Sequence, residues 1–157
     1  MAQTLNLEAE SKILSKIEGG IIPLVELTEF WPQICYELDK IPFIWETHWT
    51  KEALYECVMV GRYQVWGFGE PGFINVMVFT EIVNFPANKI LRIPIIFGNS
   101  LDQALPMMEA IILDRYAVEA GCAFCEAVGR VGWERKVPRF KKVASLLRCE
   151  IKKRELH

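Results

Sequence analysis

The stretch from Tyr63 to Val128 restricts the fold more than any other part of the chain. Tyr63-Gln64-Val65-Trp66-Gly67-Phe68 alternates like a strand and leads into Gly69-Glu70-Pro71-Gly72, a dense turn signal. Phe73 to Ile82 alternates again. Ile74, Val76, Val78 and Thr80 fall on one face, and Phe73, Asn75, Met77, Phe79 and Glu81 on the other. Asn84-Phe85-Pro86-Ala87-Asn88 then turns the chain into a third strand, Ile90 to Phe97. Pro94 within it calls for an edge or a bulge, because proline has no N–H to give to the ladder.

A helix follows. Ser100-Leu101-Asp102-Gln103 has the form of a capping box. Leu101, Leu105, Met108, Ile111, Ile112 and Tyr116 recur at helical spacing and predict the buried face. Pro106 should kink the first turns, and Gly121 should end the helix. Cys122 to Val128 reads as a buried strand, Trp133 to Phe140 as at most a short helix, and Val143 to Ile151 as a final strand.

The N-terminal side is helical. Residues 1–20 read as an arm with a weak stripe (Leu5, Ile13, Leu14, Ile17) broken at Gly19-Gly20, and the domain proper spans 21–157. Ile21-Ile22 suits a short strand. Leu27, Phe30, Trp31, Ile34, Cys35 and Leu38 mark a helix expected to start near Trp31, where Pro32 falls in the first turn, and to stop at Ile41-Pro42. Thr50 is placed to cap a second helix whose inner face is Ala53, Leu54, Cys57 and Val58, with Gly61 as its stop. His48, in the aromatic loop between the helices, has no paired carboxylate or nucleophile signature nearby and reads as structural.

Composition narrows the function. No apolar run reaches the ~20 residues of a membrane span. Five cysteines in a chain of 157 residues imply free thiols. Cys122 and Cys125 are three apart on an expected strand and point to opposite faces, so no metal site is assigned. Net charge is −2, yet residues 1–129 hold 8 basic and 17 acidic side chains, while residues 130–157 hold 10 and 3. That basic end could meet a phosphate, a nucleic acid or an acidic protein surface.

The order α-α-β-β-β-α-β-α-β gives an α/β fold. Its mixed sheet has an antiparallel meander, a crossover helix and a parallel strand pair, since a right-handed crossover can lay the fourth long strand beside the third. An anion is expected where the third strand feeds the helix N-terminus.

Four segments carry a resemblance: Leu27-Thr28-Glu29-Phe30-Trp31-Pro32, Gly61-Arg62-Tyr63-Gln64-Val65-Trp66, Ile95-Ile96-Phe97-Gly98, and Gly129-Arg130-Val131-Gly132-Trp133-Glu134-Arg135 followed by Phe140. From Ile21 onward the chain resembles the GCN5-related N-acetyltransferases (GNAT). It is most similar to the small GNAT-like proteins of tailed bacteriophages and prophages. The resemblance implies acetyl-CoA as the ligand, held by a glycine-rich loop of the type Gln/Arg-x-x-Gly-x-Gly/Ala. The corresponding residues here are Phe97, Gly98, Asn99, Ser100 and Leu101, with a single glycine. It also implies a tyrosine acid after the crossover strand, where this chain has Trp133 and no tyrosine between Gly132 and Phe140. Indole N–H donates but does not release its proton. For the general base the nearest candidate is Glu81, with a solvated strand-end carboxylate as the alternative. Arg130, Trp133 and Arg135 are the candidate interaction residues.

The leading expectation is therefore a degenerate GNAT-fold phage protein with no cofactor. It would be a virion-associated or binding component in the host cytoplasm or the virion, paired with other phage proteins or with itself. The alternative is an acetyl-CoA-dependent N-acetyltransferase with an atypical loop. A nucleic-acid module using residues 130–154 ranks third.

Overall fold

Both faces of the meander are apolar, so the sheet needs cover on each side. The computed structural model describes residues 18–41, 49–70, 74–99, 101–128, 132–145 and 147–151. The elements are β1 (Glu18–Ile21), α1 (Leu24–Leu38), α2 (Lys51–Met59), β2 (Tyr63–Gly69), β3 (Val76–Asn84) and β4 (Lys89–Gly98). They continue with α3 (Leu101–Met108, running on as a wide-wound turn over Glu109–Ala117), β5 (Phe124–Ala127) and α4 (Trp133–Lys136). The strands lie in sequence order, antiparallel from β1 to β4, and β5 is parallel to β4. The mixed sheet, the meander and the parallel pair are as the sequence predicts.

Two apolar layers sandwich the sheet. On one side Leu27, Ile34 and Leu38 of α1 and Leu54 and Val58 of α2 pack on Tyr63, Val65, Met77, Phe79 and Ile95. On the other, Ala104, Met108, Ile112, Leu113 and Ala117 pack on Trp66, Phe68, Val76, Val78, Leu91 and Ile93. The alternation read along β3 is thus reproduced, with Val76 and Val78 facing α3 and Met77 and Phe79 facing α1 and α2. Thr50 caps α2, its hydroxyl accepting from the Ala53 N–H at 3.1 Å.

The structure corrects five expectations. β1 opens at Glu18, and the glycine pair sits within it, opposite Phe68 and Gly67. A Cβ on Gly19 would lie 2.1 Å from the Phe68 ring, so this strand needs glycine for close approach and not as a breaker. α1 starts at Leu24 behind Pro23, which leaves Pro32 in its interior. The bond lost there belongs to the Thr28 carbonyl, at an exposed position open to water, and burial of Leu27, Ile34 and Leu38 outweighs a local penalty of ~3 kcal/mol.

The inner face of the long helix shifts. Leu113 and Ala117 are buried, whereas Ile111 and Tyr116 are only partly so. Over Glu109–Ala117 the backbone bonds run i→i+5, so the segment winds more widely than the 3.6 period assumes. β5 is an exposed edge strand and not a buried one, with Phe124 60% exposed. Val143 to Ile151 forms no strand; its described residues lack regular structure and are all exposed. Pro94 fulfils the expectation of an edge or a bulge. The bulge is there: Phe79 pairs with Ile95 and Glu81 with Arg92, so Thr80 faces two residues, Ile93 and Pro94.

Candidate functional site

The bulge governs the site. Before it, Leu91 and Ile93 point to the α3 layer; after it, Ile95 points to the α1/α2 layer and Ile96 to the α3 side. An extra residue has inverted the pleat. The parallel ladder to β5 ends at the same place, at Ile93 opposite Ala127, whereas β4 continues to Gly98. Pro94 to Gly98 therefore has β3 on one side and, among the described residues, no strand on the other. Its open edge is a row of backbone groups available to a ligand.

An apolar cavity adjoins that opening. Ile93 and Ile96 form its floor, Met108 and Ile112 of the long helix one wall, and Ala127, Trp133 and Phe140 the other. Glu109 is its one charged lining residue and lies 3.6 Å from the Arg139 guanidinium. Arg139 also donates to Asp114 at 2.6 Å, holding that carboxyl below the usual carboxylate range and tying the chain after α4 to the long helix.

The opposite mouth of the opening is polar. Gln33 and Glu37 of α1 meet Asn75, at the start of β3, and Phe97, Gly98 and Asn99, at the end of β4. The Glu37 carboxylate accepts from Lys40 at 3.0 Å. Three of the five residues expected to hold the coenzyme are thus brought together here. Leu101 instead packs into the α3 layer, and Ser100 lies outside the described residues.

Two of the loop's described residues are engaged by the sheet. The Asn99 N–H donates to the Asn75 carbonyl at 2.9 Å, so it is committed to the sheet. Gly98 has φ +133, and a Cβ there would sit 2.0 Å from the same carbonyl oxygen. Its freedom is used to bring β4 against β3. One cation does stand near the start of α3: Lys136 Nζ lies 3.7 Å from the Asp102 carboxylate, both exposed.

Glu81 is neither a solvated carboxylate nor a neighbour of this loop. It is 9% exposed and accepts from Arg62 Nε at 3.0 Å. Val76, not Glu81, pairs with Gly98, and Glu81 lies five residue steps further along the strand, roughly 16 Å. Glu81 also helps raise Tyr63, whose hydroxyl is pushed up to about 12, chiefly by burial. Tyr116 is no substitute for a tyrosine acid at the opening. It meets Trp66 edge-on at 4.9 Å within the α3 layer, and burial raises it as well.

Two of the three candidate interaction residues are among the described residues. Trp133 turns inward to the cavity, Arg135 is exposed, and Arg130 and His48 lie outside the described residues. Burial pushes the Cys125 thiol up to about 12 and raises Cys122, which disfavours thiolate chemistry. Among the described residues no group of three metal-type ligands gathers, and no helix is long and apolar enough to cross a membrane.

Sequence reasoning missed Asn75, Gln33 and Glu37. No local motif marks them. They meet only because α1 packs over the end of β4, and the one available signal was that Gln33 and Glu37 share a polar stripe four residues apart.

No family model and no curated protein sequence matches the chain. Solved structures do. An aminoglycoside acetyltransferase from an uncultured soil metagenomic sample, in complex with sisomicin, superposes with a TM-score of 0.64 at 9% identity, over 87% of this chain and 97% of that one. A predicted acetyltransferase from Clostridium acetobutylicum, solved with acetyl-CoA, gives 0.63 at 11% identity, over 85% and 96%. A GNAT family acetyltransferase of Staphylococcus aureus gives 0.60 at 10%, over 87% and 100%. The fold is that of the GNAT acetyltransferases.

Proposed function

We infer that the chain is an acyl-CoA-dependent N-acyltransferase. The donor's extended arm would lie along the open edge of β4, and an amine acceptor would reach it from the polar cleft. One observation carries the reading: the β4–β5 ladder stops at Ile93 and Ala127 while β4 runs on to Gly98, which leaves a slot between apolar and polar chambers. The likeness to acetyltransferases, one of them solved with acetyl-CoA, supports it.

The residues fit the arm better than the diphosphate. Backbone groups between Pro94 and Gly98 can pair with amides of an extended chain, and Ile93, Ile96 and Trp133 line the adjoining apolar space. For the diphosphate there remain the start of α3 and Lys136, because Asn99 is already bonded to Asn75. A bound thioester supplies an activated acyl group. The protein's part is then positioning, which alone accounts for a large share of such accelerations. Glu37, paired with Lys40, is the carboxylate lining the cleft; it would attract an ammonium and take its proton.

The test is acetyl-CoA in a thermal-shift assay together with release of free thiol in the presence of polyamine and aminoglycoside acceptors. At 100 times its dissociation constant, a ligand adds about 2.7 kcal/mol of stability. No shift and no thiol release would refute the proposal. A shift without release would favour a binding role without turnover. A phage or virion setting rests on the Gly129–Arg135 string alone.

A further inference from the structure

The wide-wound part of the long helix spans nine residues, Glu109–Ala117. Such winding is uncommon, is mostly confined to single turns, and is frequent at functional sites. Its side chains come together five apart. Ile112 and Ala117 are both buried, at 1% and 7% exposure, in the layer on the sheet. Glu109 and Asp114 both meet the Arg139 guanidinium, at 3.6 and 2.6 Å. On an α-helix, residues five apart lie about 140° from each other around the axis, so neither pair would share a side. By that period Tyr116, not Ala117, would follow Ile112 inward.

Arg139 reaches this segment from outside the helix. Its neighbours Val137 and Phe140 line the same apolar cavity as Glu109, Ile112 and Leu113. Lys136, on the same stretch of chain, lies instead 3.7 Å from Asp102, ahead of the wide-wound turns. We propose that Arg139 is a positioning residue: its fork grips Glu109 and Asp114 together, which holds the wide winding and keeps Ile112 and Leu113 in the cavity wall. The groups are partly exposed, and one such ion pair contributes little by itself. Both windings offer an apolar inner face, however, and only the wide one lets a single guanidinium serve both carboxylates. A small bias then decides between them. A lysine ammonium lacks the rigid fork that spans two acceptors. That the cavity receives the donor rests on the function proposed above; the winding does not.

The experiment uses the full, ligand-free chain and reads scalar couplings across hydrogen bonds. In the parent, the amides of 114–117 should couple to the carbonyls of 109–112, five residues back. Arg139→Gln, Arg139→Lys and Asp114→Ala should each move those couplings to carbonyls four residues back. Asp114→Glu, which keeps a carboxylate for the fork, should preserve the parent pattern, and so should Lys136→Gln. Calorimetric titration with acetyl-CoA gives the second readout. Arg139→Gln should raise the dissociation constant about tenfold or more, and Asp114→Glu should leave it within about twofold. Couplings four residues back in the parent overturn the proposal. So do five-residue couplings that survive Arg139→Gln or Arg139→Lys, or that vanish in Lys136→Gln. Changed couplings with unchanged acetyl-CoA affinity overturn the role in shaping the cavity. A parent that binds no acetyl-CoA refutes the function proposed above, and the couplings then judge the grip of Arg139 by themselves.

Discussion

Replacing Gly98 by alanine separates its structural role from the coenzyme role that its position suggests. At φ +133 an L-residue is strained, at a cost of about 1–3 kcal/mol. The new Cβ would meet the Asn75 carbonyl oxygen at 2.0 Å and the Val76 Cα at 2.7 Å, and both are backbone atoms. Relief requires β4 to move off β3, which breaks the 2.9 Å bond from the Asn99 N–H and forfeits about 0.5–1.5 kcal/mol more. The sum, about 2–4 kcal/mol, corresponds to a fall of about 5–15 °C in Tm for a chain of this size. Fraying of the last β3–β4 pairs sets the ceiling. Urea unfolding of the ligand-free protein measures the loss, and hydrogen exchange at Phe97 and Asn99 locates it. If Gly98→Ala unfolds within about 0.5 kcal/mol of the parent and keeps those amides protected, the argument from close approach fails. A defect confined to acetyl-CoA binding would then assign the glycine to the ligand instead.

Three other perturbations test the same structure. Thr80→Val removes the acceptor of the buried Trp66 indole N–H (2.9 Å) and the donor to Gln64 (3.1 Å), and should cost about 1–3 kcal/mol in urea unfolding. Adding Trp66→Phe should recover part of that loss, because no donor is then left unpaired; a purely additive double variant would contradict the assignment. The Tyr63 hydroxyl titrates near 12 when folded and near its ordinary 10.0 when unfolded, so its contribution is complete below pH ~10 and disappears as pH rises through ~12. It is worth at most about 2–3 kcal/mol, and Tyr63→Phe should flatten the alkaline limb of stability against pH by that amount. Ile96→Trp should fill the apolar cavity and abolish the acetyl-CoA thermal shift while leaving the ligand-free protein folded, and an undiminished shift would move the donor elsewhere.

The meander was legible because its signals are local. Period-2 alternation and the Gly69–Gly72 and Asn84–Asn88 turns need only neighbours in sequence. Pro94 gave the bulge for the same reason, a missing donor in a ladder. The inner face of the long helix was misread because the α period was imposed on a segment that winds more widely past Met108. α1 began seven residues before Trp31 because tertiary burial outweighed a proline penalty that local rules treat as decisive. The last strand failed differently. Leu147, Cys149 and Ile151 fall on one face as in a strand, but the described residues of this segment stay exposed and pair with no strand. Of the site, the 97–99 turn could be read from its place between strand and helix. Its engagement with Asn75, and the company of Gln33 and Glu37, depend on packing that no local pattern encodes.

The inverted pleat at Ile93-Pro94 has a consequence for how guests arrive. The slot beside β4 is set by covalent spacing and the ladder to β3, and needs no swinging loop to create it. Entry into such a ready-made channel forfeits little chain entropy, so association should be fast and close to single-step. Successive side chains of β4 beyond the bulge serve opposite chambers, so Ile96 and Phe97 can be altered one at a time to tune donor and acceptor separately.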